Sequence, residues 1–286
     1  MFVMTVFNWI DPTQNLTAIS KAACKPYNSA LLKTIVSMLQ ILYRDDQLIA
    51  IQKPAGLLVH RTVLDRNETR FAIQLLRDQI GQRVYPVHRL DKGTSGVQLF
   101  ALDKDASREM SWQFERQQVA KRYLAVVRGH ADDAGHIDHP LSRRPDDLEW
   151  IGEKVETAPQ PAQTDYRTLA RIELPIAVER YPTSRYSLVE LAPLTGRRHQ
   201  LRRHLKHIAH PIIGDSTHGK GRHNRMFADE LDCARMLLAC VEMRLTHPVT
   251  GQPLRLDCPL EENFSALLAR LGWADAARAA GIKLTI

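Results

Sequence analysis

The stretch His88-Arg89-Leu90-Asp91-Lys92-Gly93-Thr94-Ser95-Gly96, running into Val97-Gln98-Leu99-Phe100-Ala101-Leu102, decides how this chain is read. The second part is too apolar to be anything but a buried strand. The first part sets one carboxylate, Asp91, between a basic segment and a turn built from Gly, Thr, Ser and Gly. A turn that feeds directly into a buried strand is tied to the core. Asp91 is therefore expected on a short, rigid loop with no neighbouring acid to share its work. The plain alternative is a structural turn in which the Asp caps the Thr or Ser amides. Taken alone the stretch fits either reading, and two further segments decide between them.

The first is Lys121-Arg122-Tyr123-Leu124-Ala125-Val126-Val127-Arg128-Gly129. Period-two alternation puts Lys121, Tyr123, Ala125 and Val127 on one face of a strand and Arg122, Leu124, Val126 and Arg128 on the other. A Tyr between bases can offer a flat ring to a nucleobase and a phenol for proton transfer. An isolated strand Tyr is more simply a packing residue. The second segment is Leu194-Thr195-Gly196-Arg197-Arg198-His199-Gln200-Leu201-Arg202-Arg203-His204-Leu205. It follows a strand and reads as a helix entered through Thr195-Gly196. At 100° per residue, Leu201, Leu205, Ile208 and Ala209 share one face, with Arg198 and Arg202 at its edge. His199, Arg203, Lys206 and His207 point away. A half-buried edge Arg can hold a carboxylate ionised and oriented. The outward bases fit an ordinary solvated face unless RNA covers them.

In this order the three segments resemble HRLD-x-x-TSG, K-x-Y-x-A-x-V-x-G and TGR-x-HQLR-x-H of the RluA family of pseudouridine synthases. Lys53-Pro54-Ala55-Gly56-Leu57-Leu58-Val59-His60 resembles that family's NKP-x-G-x-x-x-H loop, with Gln52 where Asn is usual. The resemblance covers about residues 38–260. It implies an α+β pseudouridine synthase fold, a large curved sheet split by a central cleft, and an RNA uridine isomerase that needs no cofactor. It further implies Asp91 as the indispensable catalytic group, Arg202 as its ion-pair partner, and Tyr123 as the catalytic residue over the base, the nearest relay for the proton that leaves C5. Arg89 would fill the space the extruded base leaves, and His60, Arg198, Arg203 and Lys206 are the further candidate RNA contacts. A finer resemblance is to the branch of the family acting on tRNA at position 65. It rests on Leu57 to Glu68, on Arg180-Tyr181-Pro182-Thr183-Ser184-Arg185-Tyr186, and on His210-Pro211-Ile212-Ile213-Gly214-Asp215-Ser216-Thr217-His218-Gly219 with Asn224-Arg225 beyond. Lys92-Gly93 and Arg198 depart from that branch at positions with no chemical role. The members with an appended S4 RNA-binding domain are not matched, since 37 residues could not hold one.

Composition agrees with an RNA-handling enzyme. Among 286 residues there are 39 Lys and Arg against 32 Asp and Glu, giving a pI near 9.3. The +7 net charge is modest, so its distribution matters more. Arg197, Arg198, Arg202, Arg203 and Lys206 lie within ten residues, a local footprint for phosphate. Four cysteines without C-x-x-C spacing argue against a disulfide framework or a zinc ribbon and suit a reducing cytoplasm. His204, His207 and His210 spread over three directions of a helical wheel with no interleaved carboxylate, so no metal site is expected. No segment approaches the ~20 apolar residues of a membrane span, and the N-terminal run lacks a basic leader. An RNA-binding protein that uses the basic helix only as a grip is the competing class. A lone acid in a basic cleft would weaken such a grip. Nucleases and glycosidases usually pair carboxylates or hold metals. The finer resemblance implies tRNA as the partner, and a cytoplasmic monomer is expected.

The chain breaks near Met38. Residues 1–37 show no sustained period and are expected to form a loosely ordered extension, with the catalytic domain over 38–286. Met38 onward resembles the start of the tRNA-directed branch. A strand pair is expected at 42–44 and 48–51 about an Asp45-Asp46 turn, and helices at 71–80, 105–117 and 261–271. Further strands are expected at 136–141, 163–171, 186–192, 237–246 and 253–257, with a hairpin turn at 247–251. Strands separated by turns with helices inserted singly indicate a mixed, largely antiparallel sheet.

Overall fold

In the computed structural model, residues 38–61, 68–142 and 158–285 are described. The expected N-terminal extension over 1–37 lies outside them, as do the Thr62–Asn67 part of the second resemblance and residues 143–157. Strand β1 (Gln40–Arg44) turns into β2 (Leu48–Lys53) where the Asp45 carboxylate accepts from the amides of Gln47 (2.8 Å) and Leu48 (2.7 Å). Short polar side chains favour turns in this way because they mimic the missing ladder bonds. Helix α1 (Ala72–Ile80) ends at Gly81, whose φ of 67° closes the helix in the left-handed region. After the short β3 (Tyr85–Pro86) come β4 (Ser95–Ala101) and α2 (Lys104–Glu115). The Asp103 carboxylate caps α2 by accepting from the amides of Asp105 and Ala106. The helix stops two residues short of the expected end, since Gln117 has taken a left-handed φ of 60°.

The remaining strands are β5 (Ala120–Arg128), β6 (Ala134–Asp138), β7 (Gln163–Leu174), β8 (Ser184–Pro193), β9 (Leu238–Thr246) and β10 (Pro253–Asp257). The helices among and after them are α3 (Gln200–His207), α4 (Gly221–Leu231), α5 (Glu262–Arg270) and α6 (Ala274–Ala279). Among the described residues they form one ten-stranded mixed sheet ordered β1-β2-β4-β9-β5-β8-β7-β6, with β10 on β9 and β3 on β4. All pairings are antiparallel except β4 with β9, which run parallel through Ser95–Ala239 and Gly96–Cys240. The expected strand at 136–141 is shorter and earlier, with only an isolated bridge between Leu141 and Gln160 carrying it on.

Alternation along β5 holds. Leu124 and Val126 pack with Tyr186, Phe227, Phe264 and Leu268, under α4 and α5. Ala125 and Val127 pack on the opposite face with Val189, Leu191, Leu201 and Leu205, under α3. A strand buried on both faces is a stiff support for the residues at its end. Helix α4 escapes sequence reading because its buried stripe is His223, Met226, Phe227 and Leu231, opened by a Gly and interrupted by charges. No helix among the described residues is long and apolar enough to cross a membrane.

Candidate active site

Asp91 sits on the loop between β3 and β4, and the loop is locked from several sides. The Thr94 amide donates to the Asp91 carbonyl (3.0 Å), making the turn. The Gln98 side chain reaches back, donating to the His88 carbonyl (2.8 Å) and accepting from the Leu90 amide (3.2 Å). His88 stacks on Phe114 and its Nε2 accepts from the Leu99 amide at 2.9 Å. Burial, with Lys121 adding to it, pushes the His88 imidazole down to about 3, so the ring is neutral and braces the loop. From the other side, the buried Lys53 ammonium donates to the carbonyls of Pro54 (2.9 Å), Leu57 (2.7 Å) and Lys92 (3.2 Å). Gly96 closes the motif for a steric reason. At its φ of 111° a Cβ would lie 2.0 Å from the Cys240 carbonyl oxygen on the parallel strand β9. Only glycine lets the strand that anchors Asp91 run this close to its neighbour.

Across the cleft Arg202, only 7% exposed, bridges two carboxylates. Its Nη1 donates to Asp91 Oδ2 at 2.9 Å, while Nε and Nη2 donate to Asp215 Oδ2 (2.7 Å) and Oδ1 (2.8 Å). Asp215 also accepts from the amides of Thr217 (2.8 Å) and His218 (2.9 Å) through Oδ1. Burial pushes its carboxyl up, but the Arg202 hydrogen bonds and charge and those two amides outweigh this and hold it below the ordinary value. Asp215 thus fixes the guanidinium plane, and the remaining Nη1 is aimed at Asp91.

The structure corrects the reading of Asp91 as an acid without neighbours. Asp215 is carried in on the loop before α4, and Glu261 reaches the cleft by accepting from the Ala55 amide and pairing with Arg235. Arg235 in turn donates to the Ser95 hydroxyl at 2.7 Å, behind the Asp91 loop. Sequence reading grouped Asp215 with a lineage-specific segment and so gave it no chemical role. The signal was its place within a Gly-Asp-Ser-Thr turn, where a carboxylate finds amides to cap.

The second basic segment also departs from expectation. Helix α3 starts at Gln200, five residues after Thr195. The Gln200 side chain holds the Thr195–Arg197 turn, its Oε1 accepting from the Thr195 hydroxyl (2.7 Å) and the Arg197 amide (3.0 Å). Arg198 therefore precedes the helix and lines the cleft instead of sitting at a helix edge. His199 does not point away. It is the left-handed N-cap at φ 55°, with Nε2 3.8 Å from Asp91 Oδ1. Ala209 is exposed at φ 63°, because the chain has already left the helix. Leu201 and Leu205 are buried as expected, Arg202 is buried where a half-buried edge position was expected, and Lys206 is exposed. Arg203 is half-buried and donates to the Ser142 carbonyl at 3.0 Å.

Two cavities meet at Asp91. The larger, about 750 Å³, is bordered by His60, Arg89, Asp91, Arg198, His199 and Arg202. The smaller, about 330 Å³, is bordered by Asp91, Tyr123, Arg197, His199, Arg202 and Leu238 among others. Arg89 is exposed at the rim shared by both. Tyr123 faces Cys240 at the floor of the smaller cavity. Burial first, then Cys240 and Asp91, push its phenol well above the ordinary value, so the hydroxyl stays protonated. His204 and His207 of the helix and His210 just beyond it each have their own partner. His204 is held between Thr164 and the His139 carbonyl, His207 stacks on His139, and His210 meets the Arg128 carbonyl. Among the described residues no three His, Cys, Asp or Glu side chains converge as a metal set.

Residues 47–207 match the family described as RNA pseudouridylate synthase. The chain is 51% identical over 237 residues to a Yersinia pestis protein named tRNA pseudouridine synthase C, covering 83% of this chain and 92% of that protein. It is 47% identical over 238 residues to the Vibrio cholerae protein of the same name, covering 83% and 98%. Among solved structures, human RNA pseudouridylate synthase domain containing 1 aligns with a TM-score of 0.61 at 28% identity, over 81% of this chain and 88% of that one. With the match spanning the Asp91 loop, β5 and α3 together, this chain belongs to the RNA pseudouridylate synthase family and is an RluA-type uridine isomerase.

Proposed function

We propose that the protein converts a uridine of tRNA, at position 65, to pseudouridine, with Asp91 as the catalytic group. The observation that carries the chemistry is the Asp91 carboxylate at the junction of two cavities, held by Arg202 at 2.9 Å. The tRNA assignment is supported by relatives of about half identity named tRNA pseudouridine synthase C. Position 65 is supported by the Arg180–Tyr186 and His210–Gly219 resemblance, whose loops are where RNA-specific contacts belong.

Uridine and pseudouridine are isomers, so no redox partner or group donor enters the reaction. The target base leaves its stack so that Asp91 reaches the sugar, and Arg89 at the shared rim occupies the space it leaves. Arg202 orients Asp91 for attack or proton removal at the sugar, and the N-glycosidic bond breaks. The freed uracil turns over the Tyr123 ring within the smaller cavity and rejoins through C5, and Tyr123 is the nearest relay for the proton that then leaves C5. Confinement keeps the two fragments at high effective concentration. His60, Arg198, Arg203 and Lys206 hold the RNA, the last two through phosphate on the outer side of α3. We take the protein to act as a cytoplasmic monomer without a metal, with residues 38–286 as the catalytic domain.

Competition between unmodified tRNA and fragments of large ribosomal RNA, with pseudouridine mapped in both, tests the substrate. Modification confined to tRNA at position 65 is expected. Modification of the ribosomal fragments with tRNA untouched would overturn it.

A further inference from the structure

We propose that Lys121 is a further catalytic residue: its ammonium donates to a carbonyl oxygen of the uracil and holds the negative charge that the base carries once its bond to the sugar is broken. The proposal rests on the reading of the protein as a uridine isomerase in which Asp91 starts the reaction. When the C1′–N1 bond breaks, its electron pair stays with the uracil. The base becomes an anion whose charge is shared by N1, the two carbonyl oxygens and C5. Charge on C5 is what lets that carbon attack C1′. The C1′–C5 bond forms from the same electron pair, the C5 proton leaves and N1 takes one up, so atoms and charge balance without a further reactant. Between the two bond changes the smaller cavity holds a detached anion, and a positive charge beside it lowers the barrier.

Four side chains with a fixed or available positive charge border that cavity: Arg89, Lys121, Arg197 and Arg202. Arg202 is held by Asp91 and Asp215. Arg197 donates through Nε to the Pro161 carbonyl at 3.1 Å. Arg89 is exposed at the rim, where it fills the space the base leaves. Lys121 is the one whose charge is uncommitted. It is half-buried and stands on the same face of β5 as Tyr123, two residues away, roughly 7 Å along the strand. A base lying over the Tyr123 ring therefore has an edge toward Lys121.

Among the described residues no carboxylate pairs with Lys121 and no hydrogen bond holds its ammonium. The groups that act on it are neutral. One is the buried His88 imidazole stacked on Phe114, and the other is the Cys240 thiol, which burial pushes up to about 12. Burial makes the lone cation costly and pulls the Lys121 ammonium below its ordinary value. An anion formed beside it removes that cost. The uridine before cleavage is neutral and gains little from the same charge, so the interaction favours the broken bond over the ground state.

The test compares single-turnover loss of the target nucleotide from RNA carrying either uridine or 5-fluorouridine there. Fluorine withdraws charge, so fluorouracil is the better-stabilised anion and needs the ammonium less. Lys121→Met keeps the stem and removes the charge. On uridine it should react about 100-fold more slowly than wild type, with RNA affinity and melting temperature little changed. On 5-fluorouridine that deficit should shrink to a small fraction. Lys121→Arg, which keeps a positive charge, should fall between wild type and Met. An equal deficit on the two RNAs would mean that Lys121 only packs the cavity wall, and would overturn the proposal. So would a Met variant that reacts at the wild-type rate. If the Met variant melts far below wild type, Lys121→Gln carries the same comparison. A wild-type protein that forms no pseudouridine from the uridine RNA would instead overturn the isomerase reading on which the proposal stands.

Discussion

Replacing Arg202 by Ala and by Lys separates the two jobs that the guanidinium does. Ala strands the Asp215 side chain, which has no solvent exposure, beside Asp91 with only backbone amides for company. Breaking a buried ion pair from one side costs about 3–5 kcal/mol. For a domain of this size a loss of that order lowers Tm by roughly 6–20 °C. Lys restores the charge with one compact ammonium in place of a planar fork. The fully buried Asp215 should capture it, leaving Asp91 unsupported across the cleft. Arg202→Lys should therefore regain most of the lost Tm while its single-turnover rate stays at least about 100-fold below wild type, ~2.7 kcal/mol of barrier. Thermal melts followed by circular dichroism, with pseudouridine formation on saturating tRNA, give the two readouts. A Lys variant that isomerises at the wild-type rate would refute the reasoning, because the fork geometry would then be irrelevant to Asp91.

Gly96→Ala should destabilise at the severe end, above about 4 kcal/mol, since its Cβ has no room against Cys240 on β9; a melt near wild type would show that β9 can withdraw. Asp215→Asn should lose stability at neutral pH and show a flatter fall in acid. The native carboxyl is held below its ordinary value, so its contribution is complete above the unfolded value near ~4 and disappears as pH drops below that. Chemical denaturation at a series of pH values from neutral to strongly acid measures the slope, and an unchanged acid limb would contradict the assignment. Lys206→Ala, on the exposed side of α3, should weaken tRNA binding and reduce its salt dependence by about one phosphate contact while the rate at saturating RNA is kept.

Much of the frame was legible because it rests on local rules. The β1–β2 turn follows from Asp45, the end of α1 from Gly81, and the two-faced burial of β5 from an apolar run whose successive side chains point to opposite faces. What escaped was set by contacts between distant segments. The wheel for α3 assumed a helix from Thr195, whereas the Gln200 side chain takes the Thr195 and Arg197 groups into a turn and moves the N-cap to His199. That shift changes which residues face the cleft. Asp215 reaches Arg202 from 13 positions along the chain, on the irregular stretch that follows α3, and Lys53 reaches the Lys92 carbonyl across 39. Neither approach has a period to betray it. Nor does Gly96 announce a steric need until β9 is seen to run parallel beside it.

The most direct test of the central claim is Asp91→Asn, which keeps the shape of the side chain and its place beside Arg202 but removes the carboxylate. Unmodified tRNA incubated with this variant and mapped for pseudouridine should show none, while binding is equal to or tighter than wild type because a negative charge has left a basic cleft. Formation of pseudouridine by Asp91→Asn at a rate near wild type would contradict the account.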